Sequence, residues 1–334
     1  MNQRVERSQK GRHKPRIGAA FVGILVMFGL MITGFKLPLL PVLQGDANTA
    51  EWASYNTVHH VLTNQPSLPS LTGVAWPQSG QAAVMIDGHL RGHYGANSPI
   101  PIASLTKMMT AFVVLQKYPL GPNESGPTYT VTPQDVQIYN EDYAENDSCV
   151  NVVAGETLTE RQMLEGLLLP SGDNMAVMLA NWVSGSVPSF VNQMNTEAHR
   201  LGMTNTYYAD PAGVSAQTVS TALDQLKVSY AVMKSPTIQE IVGMTSAPFP
   251  LVGQINNTNS DLGQDGITGL KTGNLEHIGN MAVAADRVYD HKQVEVIAVV
   301  LGQPGANETD SLSAALKAGR SLIQSLGTPS ANVT

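Results

Sequence analysis

Two residues with complementary chemistry stand three positions apart, just before a strongly apolar run. They are Ser104 and Lys107, and residues 108–115 that follow are apolar enough for a buried helix. Because residues i and i+3 lie on one face of a helix, the Lys107 amine can reach the Ser104 hydroxyl. A lysine desolvated by apolar neighbours gives up its proton more readily and can activate a serine. The spacing predicts a serine nucleophile with a lysine base, and free N–H groups at the helix start suit an oxyanion.

Two more polar clusters lie further along the chain. Ser171, Asp173 and Asn174 fall in a short connection between two predicted helices, which suits a site, although alone they are more typical of a helix cap. The Lys-Thr-Gly triplet at 271–273 ends a predicted strand, where a glycine often marks the close approach of a ligand. A chain with 24 Ser and 10 Lys contains about one Ser-x-x-Lys by chance, so the prediction depends on the three clusters together.

The elements that must position these clusters follow from periodicity and turn signals. Strands are predicted at 82–86, 89–94, 129–132, 265–273, 281–285 and 294–301, the last two as an antiparallel pair. Helices are predicted after Ser104, from a cap at Thr157 or Thr159 to a stop before Pro170, and at 175–183, 190–201, 221–233 and 309–326. Residues 134–148 are acidic and are predicted to be irregular.

The charge distribution limits the partners. The net charge is −7, yet residues 1–16 carry +5 and the remainder −12. An acidic domain argues against a nucleic acid as partner. A single cysteine, Cys149, cannot form an internal disulfide, and no Cys/His spacing typical of a metal site occurs, so neither a metal nor another cofactor is predicted.

The N-terminal region predicts a membrane anchor. Residues 1–16 form a basic tail expected in the cytoplasm, and the uncharged run 17–35 is long enough to span a bilayer. A cleaved signal peptide is the less favoured alternative, because its apolar region is usually shorter and no Ala-x-Ala site follows. Residues 36–75 are predicted to be an extracytoplasmic stalk, 76–326 the catalytic domain, and 327–334 a polar tail.

The three clusters occur in an order that resembles one enzyme family. The surrounding residues resemble the same family at 102–111, 164–172, 201–206, 210–213 and 269–273. The chain is similar to the low-molecular-weight penicillin-binding proteins that are serine-type D-alanyl-D-alanine carboxypeptidases, peptidase family S11. The resemblance implies an α+β, β-lactamase/transpeptidase-like fold: a five-stranded antiparallel sheet flanked by helices, plus a mostly helical lobe. It implies no cofactor.

The resemblance also implies how the residues act. Ser104 attacks the carbonyl between two terminal D-alanines of a peptidoglycan stem peptide, and Lys107 takes its proton. The backbone N–H groups of Ser104 and Asn274 hold the oxyanion. Ser171 relays a proton to the leaving amine, and water then releases the acyl-enzyme.

The strand triplet is expected to recognise the end of the substrate. By the same resemblance, Lys271 and Thr272 bind the free carboxylate of the last D-alanine, and Gly273 leaves room for the peptide along the strand. A β-lactam antibiotic mimics the same dipeptide and is expected to acylate Ser104.

One position departs from the family pattern. The family usually has asparagine where this chain has Asp173. An ionised aspartate only accepts hydrogen bonds, and beside Lys107 it would favour the charged amine and weaken it as a base. Asn174 could take the family role after a one-residue shift of the loop, and the sequence leaves both alternatives open.

Four other functions compete with the carboxypeptidase. A D,D-endopeptidase would have the same motifs, and a class A β-lactamase is ranked lower because its Glu-x-x-Leu-Asn pattern is absent. A catalytically weak, membrane-tethered protein that binds cell wall is the alternative from another class. A metalloprotease is disfavoured because no His-Glu-x-x-His occurs.

Overall fold

The computed structural model describes residues 71–289 and 291–329. The strands are β1 (Gln81–Ile86), β2 (His89–Tyr94), β3 (Ile100–Pro101), β4 (Thr128–Thr130), β5 (Thr157–Thr159), β6 (Val219–Ser220), β7 (Ser246–Phe249), β8 (Gly253–Asn256), β9 (Ile267–Leu275), β10 (Ile278–Tyr289), β11 (Lys292–Pro304) and β12 (Thr328–Pro329). The helices are α1 (Thr106–Lys117), α2 (Pro133–Glu145), α3 (Glu160–Leu168), α4 (Asp173–Ser184), α5 (Val187–Arg200), α6 (Ala222–Val232), α7 (Pro236–Gly243) and α8 (Glu308–Gln324).

Five long strands form one antiparallel sheet in the order β9–β10–β11–β1–β2. The two-residue strand β12 pairs with the far end of β10, at Arg287 and Val288, so residues 328 and 329 are part of the sheet and not a plain tail. Three short two-stranded sheets, β3–β6, β4–β5 and β7–β8, lie outside it. The predicted α+β fold with a five-stranded antiparallel sheet is confirmed.

The sheet is buried on both faces, and the strand sequences explain why. In β1 all six residues are buried. Since side chains alternate between faces, Ala83 and Met85 join the core shared with the helical lobe, whereas Ala82 and Val84 join a smaller core. Leu322 of α8 belongs to that smaller core. Small and apolar residues on both faces thus allow helices to pack on both sides.

Helix α1 runs through the larger core. Residues 106–115 are all buried, and α1 contacts α3, α4, α5 and α6. A helix surrounded in this way is held rigidly, because each of its faces packs against another element. The start of α1 is therefore a fixed platform for the residues at positions 103–107.

The prediction that residues 134–148 are irregular is wrong, because α2 occupies most of this segment. Thr132 caps the helix: its hydroxyl accepts from the Asp135 N–H, while the Asp135 carboxylate accepts from the Thr132 N–H. Pro133 stands at the first helical position. This capping box and N-terminal proline are start signals that outweigh the weak apolar pattern of an acidic, largely exposed helix.

The remaining predicted helices and strands are present, with ends shifted by a few residues. Thr159, not Thr157, caps α3, and Thr221 caps α6. Helix α7 and the β7–β8 hairpin fall in the segment 234–264, which has no predicted element.

The predicted anchor at 17–35 and nearly all of the predicted stalk lie outside the described residues. Among the helices that are described, none combines the length and apolar character needed to cross a bilayer.

Candidate active site

Ser104 and Lys107 lie next to each other at the start of α1. Ser104 is in a single 3₁₀ turn, Ala103–Leu105, that leads directly into the α-helix. The Lys107 Nζ lies 2.8 Å from the Ser104 Oγ. Ala103, just before the serine, has a positive φ of 51°, so the backbone turns sharply as it enters the helix. This geometry gives the serine a basic group within hydrogen-bond distance.

The Lys107 amine is fully buried and has three acceptors. Besides Ser104, its Nζ lies 2.6 Å from the Asp173 Oδ1 and 2.9 Å from the backbone carbonyl of Ala212. A neutral amine has two N–H groups and one lone pair. If Asp173 and Ala212 hold the two N–H groups, the lone pair points at Ser104, which is the orientation that proton abstraction needs.

The connection between α3 and α4 brings the second cluster to the same place. Asp173, the first residue of α4, forms a buried ion pair with Lys107 at 2.6 Å. The Asn174 side chain points elsewhere, since its amide donates to the Val150 carbonyl at 2.8 Å and accepts from the Val150 N–H at 3.0 Å. Of the two alternatives left open by the sequence, Asp173 faces the lysine and Asn174 holds the neighbouring loop.

Ser171 has two unusual properties. Its φ is +68°, a conformation that residues other than glycine seldom adopt, and only 5% of the residue is exposed. Its Oγ has no hydrogen-bond partner among the described residues. A buried hydroxyl without a partner costs free energy, so a strained backbone and an open hydrogen-bonding position coincide at Ser171, and a ligand could supply the missing hydrogen bond.

Strand β9 forms the opposite wall. A Cβ added to Gly273 would lie 2.9 Å from the Ser104 backbone nitrogen, so only glycine allows this strand to pass so close to the serine. The Thr272 hydroxyl lies 2.6 Å from that of Thr258. Lys271 is buried, and its Nζ donates to the Thr272 carbonyl at 3.0 Å.

These groups surround one cavity of about 120 Å³. Its lining residues are Ser104, Asn146, Asp147, Ser148, Ser171, Asp173, Gly213, Val214, Thr258, Thr272, Asn274, Leu275 and Glu308. All three predicted clusters therefore contribute to its wall or lie directly behind it.

Burial dominates the electrostatics of the site. It raises the pKa of Asp173, and the Lys107 amine offsets part of this rise. Burial also lowers the pKa of Lys271 well below its ordinary value, and the nearby Lys107 adds to the effect. On α2, burial together with the charges of Asp173 and Asp147 raises the pKa of Asp142 to about 7.

Several site residues carry no recognisable motif. Thr258, Asp147 and Glu308 line the cavity, and Ala212 contributes only a backbone carbonyl. The loop at 210–213 was part of the family resemblance, which is the one sequence signal that points to it. Among the described residues, no group of three or more His, Cys, Asp or Glu side chains is arranged to hold a metal ion.

The comparison with protein families decides the identity. The model of the D-alanyl-D-alanine carboxypeptidase family, S11, matches residues 81–305, more than half of the chain. The chain belongs to peptidase family S11. The match spans all three clusters, from β1 to the end of β11.

Individual S11 relatives agree in sequence and structure. The D-alanyl-D-alanine endopeptidase of Escherichia coli is 31% identical over 163 residues, 48% of this chain and 44% of the relative. The D-alanyl-D-alanine carboxypeptidase DacF of Bacillus subtilis is 26% identical over 244 residues, 69% of this chain and 59% of the relative. This chain thus spans about half the length of these curated relatives.

Among solved structures, the DD-transpeptidase of Streptomyces K15 is 27% identical. The two share a TM-score of 0.61, with 77% of this chain and 98% of that chain covered. This S11 domain therefore has the penicillin-binding fold.

Proposed function

We propose that this S11 protein is a serine D-alanyl-D-alanine carboxypeptidase that removes the terminal D-alanine from peptidoglycan stem peptides. The observation that carries the proposal is the buried Lys107 amine, 2.8 Å from the Ser104 hydroxyl in a cavity that Thr272 and Asn274 also line. A basic nitrogen at hydrogen-bond distance from a partly exposed serine suits acyl transfer.

In the first step, the Ser104 Oγ attacks the carbonyl between the two D-alanines while Lys107 accepts the hydroxyl proton. The charge that develops on the carbonyl oxygen is held by the backbone N–H groups of Ser104 and Asn274. The close approach of Gly273 to the Ser104 nitrogen supports this pairing of donors.

In the second step, the C–N bond breaks and the leaving amine takes up a proton. Ser171 relays to the amine the proton that Lys107 took from Ser104, so both groups return to their starting state, and the unpartnered Ser171 Oγ in the cavity wall supports this role. Water then attacks the acyl-enzyme and releases the shortened peptide, returning the proton to the serine.

Recognition of the substrate is assigned to the β9 wall. The Lys271 ammonium and the Thr272 hydroxyl bind the free carboxylate of the last D-alanine, a charge-assisted contact. Thr258 orients the Thr272 hydroxyl, to which it is hydrogen-bonded. Asp173 holds the Lys107 amine, whereas Asn174 has a structural role at Val150.

The cellular setting follows from the N-terminal prediction. Residues 1–16 remain in the cytoplasm, residues 17–35 anchor the protein in the membrane, and the catalytic domain acts on the cell wall outside. The basic tail at 1–16, followed directly by the uncharged apolar run at 17–35, supports the anchor.

Labelling with a fluorescent penicillin tests the nucleophile. We expect the purified domain to form a covalent adduct that Ser104→Ala abolishes, while the exposed Ser189→Ala, as control, leaves it intact. Labelling that persists in Ser104→Ala would refute the nucleophile, and an unlabelled wild-type protein would favour a cell-wall-binding protein without catalysis.

A D,D-endopeptidase is the second candidate, because the Escherichia coli relative named above carries that name. Release of D-alanine from a free pentapeptide, compared with cleavage of a cross-linked dimer, separates the two activities. We expect the pentapeptide to be the better substrate, and the reverse preference would transfer the proposal to the endopeptidase.

A further inference from the structure

The loop between α5 and α6 is, beside Asp173, a second contact of the lysine base. Lys107 donates to the carbonyl of Ala212 at 2.9 Å. The same peptide group continues as the N–H of Gly213, which donates to the Asp210 Oδ1 at 2.5 Å. One peptide unit therefore lies between a carboxylate and the catalytic amine.

Asp210 organises the whole of this loop with its two carboxylate oxygens. Oδ1 accepts from the backbone nitrogens of Ala212 (2.9 Å), Gly213 and Val214 (3.2 Å), and Oδ2 accepts from the Ser215 nitrogen (3.2 Å) and the Thr218 hydroxyl (2.7 Å). Five donors that converge on one side chain leave the loop little freedom. A carboxylate that accepts from a peptide N–H also polarises that peptide, which makes its carbonyl a stronger acceptor.

The loop is locked against α1 at two further points. The Thr110 hydroxyl donates to the Pro211 carbonyl at 2.6 Å. A Cβ built on Gly213, whose φ is +90°, would clash with the Ala103 carbonyl, so the loop packs directly on the turn that carries Ser104. Any movement of Asp210 is therefore transmitted to the base and to the nucleophile's own turn.

We propose that Asp210 is a positioning residue for the general base, acting through the Ala212–Gly213 peptide to hold one N–H of Lys107 and so aim its lone pair at Ser104. The inference rests on the proposed acyl-transfer function. Asp210 does not touch the reacting atoms, and its contribution is the position and acceptor strength of the Ala212 carbonyl.

The charged groups around the Lys107 amine determine how the pH dependence of acylation responds to a change at Asp210. Asp173 contacts the amine directly, Asp142 and Asp147 act on it from the α2 side, and Lys271 acts from β9. A strong acceptor favours the charged amine. Removing the charge of Asp210 while those four groups remain makes the Ala212 carbonyl a weaker acceptor, and the pH profile of acylation reports that change.

The test is the rate of acylation by a fluorescent penicillin, measured from about pH 5 to about pH 10, with the variant Asp210→Asn. We expect the plateau rate to fall about tenfold or more, because the lone pair is aimed less well. We also expect the acidic limb of the profile to move to lower pH. Penicillin binding before acylation should change less than the acylation rate, since Asp210 does not itself line the cavity and acts on it only through the backbone of Gly213 and Val214.

Thr218→Val is the matched control, because it removes one hydrogen bond from the same carboxylate and leaves the Asp210–Gly213 contact. We expect Thr218→Val to lower thermal stability about as much as Asp210→Asn does. The acidic limb of the acylation profile should not shift. If Asp210→Asn fails to fold, Thr110→Val tests the same loop from α1, and Thr110→Ser, which keeps the hydroxyl, should restore the wild-type profile.

The outcomes separate the two proposals. A wild-type protein that forms no adduct overturns the acyl-transfer function, and the role of Asp210 with it. A wild-type protein that is labelled normally, with Asp210→Asn matching Thr218→Val in rate and profile, overturns the role of Asp210 alone.

Discussion

The two walls of the cavity each bury a lysine, and they satisfy it differently. On the α1 side, Lys107 has a hydroxyl, a carboxylate and a carbonyl as acceptors. On the β9 side, among the described residues, Lys271 donates only to the Thr272 carbonyl, and burial holds its pKa well below the ordinary value. The first lysine is equipped to exchange a proton before any substrate arrives. The second lacks an anionic contact of its own, which a substrate carboxylate would supply.

Replacing Lys107 should have the largest effect. Lys107→Met removes the base, and we expect the acylation rate with a fluorescent penicillin to fall by about 10²-fold to 10⁴-fold. Lys117→Met, at the exposed end of the same helix, is the control and should match the wild type. An acylation rate within a few-fold of the wild type would remove Lys107 from the mechanism and end the contrast between the two lysines.

Replacing Lys271 should reduce recognition more than reactivity. We expect Lys271→Met to lower kcat/KM for a peptide ending in free D-Ala-D-Ala by about 10-fold to 150-fold, the value of a hydrogen bond to a charged group. Because a buried amine is exchanged for an apolar chain, the melting temperature should rise. A peptide with an amidated C-terminus is the control substrate. Equal losses on both peptides would show that Lys271 does not read the carboxylate.

Replacing Asp173 with the family's usual asparagine should show how far the contrast between Lys107 and Lys271 depends on this carboxylate. Asp173→Asn removes a carboxylate from the Lys107 amine, so we expect the acidic limb of the acylation profile to move to lower pH. Asp147→Asn changes a carboxylate that lines the cavity but is not one of the three groups that contact the amine, so it should give a smaller shift. A limb that stays in place in Asp173→Asn would mean that Asp173 orients the amine without affecting its charge.

The smallest expected effect is on stability, at Asp142 of α2. The pKa of Asp142 is raised to about 7 in the fold, so this carboxyl favours folding at low pH and loses that contribution as the pH rises from about 4 to about 7. Asp142→Asn should remove this loss. The melting temperature of the variant should therefore rise relative to that of the wild type as the pH goes from about 4 to about 7. Glu141→Gln, on the exposed face of α2, is the control. Parallel melting curves for Asp142→Asn and the wild type would contradict the raised pKa.

The sequence predicted the architecture well where local signals agreed with packing. Short apolar runs marked β1, β10 and β11, and capping residues such as Thr159 and Thr221 marked helix starts. Helix α2 was missed because its apolar pattern is weak, although its capping box at Thr132 could have been recognised.

The site was predictable in its members but not in its internal contacts. Spacing and order pointed to Ser104, Lys107 and the β9 triplet. Whether Asp173 or Asn174 faces Lys107 depends on the exact position of the loop along the chain, to within one residue. The hydrogen bonds of Asn174 to Val150 and the positive φ of Ser171 set that position, and both depend on tertiary packing. Thr258 and the Ala212 carbonyl have no motif, since a lone threonine or a backbone carbonyl carries no recognisable pattern.

The pairing of β1 with β11 has a consequence for how the polypeptide acquires its shape. Gln81 is matched with Leu301, so the early hairpin β1–β2 has no neighbour on one edge until nearly the whole domain has been synthesised. Contacts so distant along the chain slow folding and leave an apolar strand edge open to association with other chains. A ribosome that delivers this domain from its N-terminus therefore releases the Ser104 side of the cavity long before β9, the opposite wall, has been synthesised.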